Sequence, residues 1–151
     1  MMDFNAETLI AASLEHGLNS EPDHEAGDLQ QYIRSCWEML THGQRRAFYT
    51  SAEVSSVIQT STGKPRFKVK ESHFKEDGIE HLLGLAQEHG NDEGADVEIR
   101  DLQDSLRAAW SLLDTTQKSD FFSLEEVQET YENAMCHPLE EDFQSNPFQR
   151  G

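Results

Sequence analysis

"DLQQYIRSCWEML", residues 28–40, returns as "DLQDSLRAAWSLL" at residues 101–113. In both stretches the apolar side chains fall at i, i+4, i+7, i+8 and i+11. They are Leu29, Ile33, Cys36, Trp37 and Leu40 in the first, and Leu102, Leu106, Ala109, Trp110 and Leu113 in the second. That spacing gathers each set on one side of an α-helix, so each stretch reads as an amphipathic helix turned toward a core.

The likeness extends outward from this pair. A shift of 73 positions aligns residues 9–58 with 82–131 without a gap, and 16 of the 50 pairs are identical. Chance would supply about three, so the pattern reads as a tandem duplication. The identities include Glu15-His16-Gly17 with Glu88-His89-Gly90, Asp23 with Asp96, Glu25 with Glu98, Asp28 with Asp101, Trp37 with Trp110, Gln44 with Gln117 and Phe48 with Phe121.

Each copy is predicted to hold four helices, at about 5–16, 28–40, 42–49 and 51–59, then 76–89, 101–113, 115–122 and 124–135. The expected fold is all-α, with two tandem helical repeats in a pseudo-twofold relation and a short basic extended linker between them. The corresponding boundaries are 1–58 for repeat 1, 59–74 for the linker, 75–136 for repeat 2 and 137–151 for a mobile polar tail.

Helix ends carry their own signals. Thr41-x-x-Gln44 and Asp114-x-x-Gln117 read as capping boxes, as do Thr50-x-x-Glu53 and Ser123-x-x-Glu126, because a short oxygen-bearing side chain satisfies free amides at a helix start. Asp28 and Asp101 read as N-caps. Gly17 and Gly90 suit the left-handed position after a helix, with His16 and His89 beside the negative end of its dipole. The acidic stretches 18–27 and 91–100 then become loops of matching length.

With 29 acidic and 12 basic residues the formal charge is −17. Residues 61–75 carry one acid and five bases, a basic island between two acidic halves. So much negative charge repels nucleic acid and anionic lipid, so neither direct nucleic-acid binding nor membrane binding is expected. Cys36 and Cys136 do not occupy equivalent positions of the two copies, which argues against a disulfide framework and for free thiols. No apolar run reaches the length of a membrane span and the first residues lack a basic signal region, so a cytoplasmic protein is expected.

Candidate chemistry is sparse. Trp37 and Trp110, with Phe48 and Phe121, sit on apolar stripes and read as core residues. The seven histidines lack the spacings that project zinc ligands from one face, so no metal site is expected. Placing Gly94 at the obligatory glycine of a calcium loop puts His89 first and Arg100 last, where acids are required, and that reading fails. No nucleophile motif appears, so no enzyme and no cofactor is expected. The short helices 42–49 and 51–59 outline a helix-turn-helix, but "SAEVSSVIQT" (51–60) and "LEEVQETYEN" (124–133) lack the positive charge of a DNA-reading helix.

The charge itself remains. Carboxylates held on rigid helices can occupy a basic surface that normally holds phosphates. Asp23, Glu25 and Asp28 in the first copy, with Asp96, Glu98, Asp101 and Asp104 in the second, are the expected contacts to a basic protein or complex, such as one that binds nucleic acid. Lys64, Arg66, Lys68 and Lys70 would pair with the chain's own acids or touch an acidic patch on that partner. In size and charge the chain is similar to phage- and plasmid-borne inhibitors, among them anti-CRISPR proteins and DNA mimics. This implies a non-enzymatic inhibitor of a nucleic-acid-handling complex. The alternative is a toxin-neutralising immunity protein or structural adaptor that grips through apolar residues, with Phe67, Val69, Phe143 and Phe148 as its carriers.

Overall fold

A computed structural model describes residues 5–63 and 68–140, apart from the side chains of Pro22 and of 136–140. These residues form eight α-helices and one 3-10 turn: α1 (Ala6–Asn19), α2 (Pro22–Met39), α3 (His42–Thr50), α4 (Ala52–Thr62), the turn Glu71–Phe74, α5 (Ile79–Glu93), α6 (Ala95–Leu112), α7 (Thr115–Phe121) and α8 (Glu125–Glu140). The fold is all-α, with no strand among the described residues.

The apolar stripes meet in a single cluster. Leu29, Ile33, Cys36 and Trp37 of α2 share it with Leu102, Leu106, Ala109 and Trp110 of α6, and α1, α4 and α5 close over them. Burial of the leucines and Ile33 stabilises by roughly 1.5–3 kcal/mol each, which is how a chain with only 36% apolar residues sustains one core. α2 and α6 lie side by side. Asp96 approaches Glu25 and Asp23 approaches Glu98 where the two helices begin, while Gln44 meets Gln117 where they end.

Several contacts recur at a separation of 73 residues. Trp37 packs edge-on against Phe48 at 5.6 Å and Tyr49 at 5.7 Å, as Trp110 does against Phe121 at 5.3 Å and Phe122 at 5.7 Å. A cation lies over each indole, Arg45 at 4.8 Å and Lys118 at 5.5 Å. Arg34 grips Glu80 through Nε and Nη2 (2.7 and 2.9 Å), and Arg107 grips Glu7 the same way (2.6 and 3.2 Å). The Gln44 and Gln117 amides donate to each other, both at 2.9 Å. Each also donates to a helix-end carbonyl across the contact, Leu112 for Gln44 and Met39 for Gln117.

The Thr41–Gln44 and Asp114–Gln117 capping boxes form as expected. The later ones do not. Ser51 caps α4 by accepting from the Val54 amide, while the Thr50 hydroxyl donates back to the Arg46 carbonyl inside α3. α8 begins at Glu125, two residues after Ser123.

The largest correction concerns 18–27 and 91–100, which are helical over most of their length. α1 runs on to Asn19 and α2 starts at Pro22, where a missing amide hydrogen costs nothing at the first helical position. α5 reaches Glu93 and α6 starts at Ala95, turning at Gly94, whose φ of 120° suits glycine. Asp28 and Asp101 therefore lie inside helices and cap nothing. Gly17 and Gly90 are also helical rather than left-handed.

Of the stretch 59–74, residues 59–62 complete α4. His73 and Phe74 are buried in the 3-10 turn, beside Lys75, whose carbonyl accepts from the Trp37 indole at 2.9 Å. Val69 is partly buried against the core. Residues 64–67, with Lys64, Arg66 and Phe67, lie outside the described residues. So do 141–151, with Phe143 and Phe148, although α8 carries the helix four residues into the stretch expected to be tail.

Candidate functional site

The acidic residues singled out in the sequence converge where α2 and α6 begin. The corner between α1 and α2 is closed by Gly17. A Cβ there would stand 2.9 Å from Glu25 Cβ, and one on Gly90 would stand 2.6 Å from Glu98 Cβ. Only glycine allows the start of each long helix to lie this close to the helix before it. Beside each close approach a histidine meets an aspartate: Nδ1 of His16 is 2.7 Å from Oδ2 of Asp28, and Nδ1 of His89 is 2.7 Å from Oδ2 of Asp101. All four residues are buried, none more than 8% exposed.

Glu25 and Glu98 flank these pairs. Burial raises the pKa of the Glu25 carboxyl, and the charges of Asp28 and Asp96 raise it further. Glu98 is raised in the same way, by burial and then by Asp23 and Asp101. Oε2 of Glu25 is buried without a hydrogen-bond partner among the described residues, which fits a carboxyl that resists ionisation. Burial also raises Asp28, opposed by its bond to His16.

The predicted contacts thus divide by exposure. Asp23 and Asp96 are exposed and Glu98 is half-buried, so these can face a partner. Glu25, Asp28 and Asp101 are buried, with both aspartates engaged by histidines. Asp104 lies further along α6, half-buried and 3.2 Å from Nη1 of Arg107. Lys68 and Lys70 are exposed. The His–Asp pairing escaped the sequence reading because its members are 12 residues apart across a helix corner. The repeated Glu-His-Gly was its one visible trace.

The second pair has a hydroxyl nearby. Ser61 Oγ is 3.3 Å from Oδ2 of Asp101 and 3.5 Å from Nδ1 of His89. Nucleophilic catalysis requires serine on one imidazole nitrogen and aspartate on the other. Here both face Nδ1, while Nε2 points toward Glu93 at 3.7 Å. The trio is a hydrogen-bonded brace rather than an activated nucleophile. Among the described residues, no three His, Cys, Asp or Glu side chains are arranged to hold a metal ion, and no helix is long and apolar enough to cross a membrane.

The carboxyls give the fold a defined pH response. Glu25, Asp28 and Glu98 titrate above their unfolded values, so the stabilisation they provide is present below the ordinary carboxylate range and is lost as pH rises through their folded pKa. His81 opposes this, because burial lowers its pKa and stability is lost as it protonates. Glu7 and Glu80 titrate low beside their arginines and withdraw their contribution only below the ordinary range. Glu38, outside the cluster, is raised as well, by burial and then by Glu126 and Glu76, and works in the same direction as Glu25, Asp28 and Glu98. Glu25→Gln/Glu98→Gln, which fixes the neutral form of two of these carboxyls, is expected to raise Tm above that of the wild type at about pH 7.5, the difference closing as pH falls toward the ordinary carboxylate range. A difference that is flat or inverted with pH would contradict this account of the cluster.

Comparison with protein-family models, with curated proteins and with solved structures found no match.

Proposed function

We propose that this chain is a non-enzymatic, internally duplicated protein that binds and inhibits a basic partner through its acidic surface. The partner belongs to a nucleic-acid-handling complex, and the chain occupies a surface built for phosphates, as a nucleic-acid mimic or anti-CRISPR-like counter-defence protein would. The duplication is supported by the recurring contacts, above all the Arg34–Glu80 and Arg107–Glu7 pairs, in which Arg107 stands 73 residues after Arg34 and Glu80 stands 73 residues after Glu7. In this reading residues 1–58 and 75–136 are the repeats, 59–74 their linker and 137–151 a tail.

One observation carries the binding assignment. On a chain of charge −17, Asp23 from the first copy and Asp96 and Glu98 from the second meet where two rigid helices begin. Like charges are costly to gather, and an opposing basic surface offsets that cost. The carriers are Asp23, Asp96 and Glu98. Asp28 and Asp101 act indirectly, by fixing the helices that present them.

Capture of basic nucleic-acid-binding proteins from a host lysate tests this, with elution between about 0.05 and 0.5 M salt. Asp23→Lys/Asp96→Lys is the informative variant. Each substitution relieves repulsion with Glu98 or Glu25 rather than breaking a bond, so the fold survives while the partner is lost. Retention of no basic protein, insensitivity to salt, or equal retention by the variant would each overturn the reading.

A further inference from the structure

A second surface lies on the flank where α1 meets α8. Thr8, Ala11, Ala12 and Glu15 of α1, with Tyr131 and Met135 of α8, enclose an open groove of about 300 Å³. Leu14 and Leu18, one turn apart on α1, are 44% and 75% exposed, and Met135 is 45% exposed. These are the large apolar side chains left outside the core among the described residues. On a helix, Ala11, Leu14 and Leu18 share one side, so this apolar strip runs into the groove.

The strip is absent from the other copy. The residues 73 positions on from Leu14 and Leu18 are Gln87 and Asn91, both exposed and polar on α5. An exposed leucine pair has no part in helix formation that glutamine and asparagine do not fill there. The two α1 leucines therefore answer to something other than the fold.

We infer that this groove is a docking site for a basic amphipathic helix of a partner protein, whose apolar side lies on Leu14, Leu18 and Met135. Charge selects this occupant. Glu15 lines the groove, the exposed Glu132 follows Tyr131 on α8, and Arg107, which reaches α1, is held by Glu7 and Asp104. A second copy of the chain would bring another −17 to the contact, whereas a helix with lysines or arginines flanking its apolar side gains on both counts. The inference shares with the proposed function only the sign of the partner's charge and uses none of the same residues.

A labelled amphipathic peptide of leucine and lysine provides the probe, with a leucine–glutamate peptide and a lysine–serine peptide as references. Anisotropy titrations against the full chain in about 0.3 M salt, where distant charges are screened, are expected to show binding of the leucine–lysine peptide alone. Leu14→Ser/Leu18→Ser, which changes no charge and touches no core residue, is expected to weaken it at least about tenfold. Asp23→Lys/Asp96→Lys should leave it within about twofold, separating this site from the acidic cluster. Equal binding to the leucine variant, or binding of the lysine–serine peptide as tightly, would overturn the assignment. So would a dimer in sedimentation that the leucine variant dissolves, which would make a second copy the occupant. Tighter peptide binding after Phe143→Ser/Phe148→Ser would overturn it in favour of the chain's own C-terminal residues.

Discussion

His89→Ala is expected to lower the unfolding free energy by about 3–5 kcal/mol, the range for removing one member of a buried, hydrogen-bonded ionisable pair. Asp101 is 3% exposed, and its Oδ2 has the His89 ring at 2.7 Å and the Ser61 hydroxyl at 3.3 Å. Without the imidazole Oδ2 keeps only the longer contact, to a hydroxyl that also donates to the Val57 carbonyl at 2.7 Å. His89→Leu/Asp101→Leu removes both polar groups and should cost far less than the sum of the single changes, because nothing polar is then stranded. Urea unfolding of the wild type, both single variants and the double variant forms the cycle. Additive losses would show that the two residues do not act as a pair.

Gly90→Ala is expected to destabilise by about 2 kcal/mol although alanine is the better helix former. The new methyl would stand 2.6 Å from Glu98 Cβ and 3.6 Å from its Cα. Both are close to the α6 backbone, so a side-chain rotation cannot relieve the clash. Gly84 on the same helix has nothing within 4 Å of where its Cβ would lie. Gly84→Ala is therefore expected to stabilise by about 0.5–1 kcal/mol through propensity alone. The opposite signs of two Gly→Ala changes six residues apart, read as shifts in denaturation midpoint, isolate the close approach from the helix effect. Stabilisation by both would mean that α5 and α6 lie further apart at this corner.

What could be read in advance followed helical periodicity. The stripe from Leu29 to Leu40 and its counterpart from Leu102 to Leu113 are sequence-local, and so are the boxes at Thr41 and Asp114. All of these appear where expected, and each Trp has the ring neighbours and overlying cation that its counterpart has. What could not be read depended on long-range contact. "EPDHEAGD" has the composition of a loop, yet Ala26 packs against the core and Glu25 lies against Gly17 of α1, and tertiary packing makes the segment helical. Pro22 at the first helical position was a legible sign of that start. Gly17 illustrates the ambiguity best. A glycine after Glu-His suits a helix end or a close approach equally well, and only Glu25, eight residues on, decides between them.

The candidate site shows the same division. Asp23, Asp96 and Glu98, singled out together in the sequence, converge where α2 and α6 begin. The sequence assigns the same role to Asp28 and Asp101, whose burial depends on histidines that no local pattern connects to them. The strip at Leu14 and Leu18 passed unnoticed inside an ordinary amphipathic helix. It emerges only when those residues are found exposed and their counterparts polar.

The paired glutamines have a consequence for ancestry. The Gln44 amide oxygen accepts from the Thr41 amide and from Gln117, and its nitrogen donates to Gln117 and to the Leu112 carbonyl, while Gln117 does the same in reverse. Every bond that one side offers, the other returns in kind. On the duplication proposed above, a half-length forebear carrying a single such glutamine would have met these needs by joining its own twin. Gene fusion would then have made a permanent couple of two molecules already suited to each other, freeing one partner to acquire leucines on its outer flank while the other stayed polar.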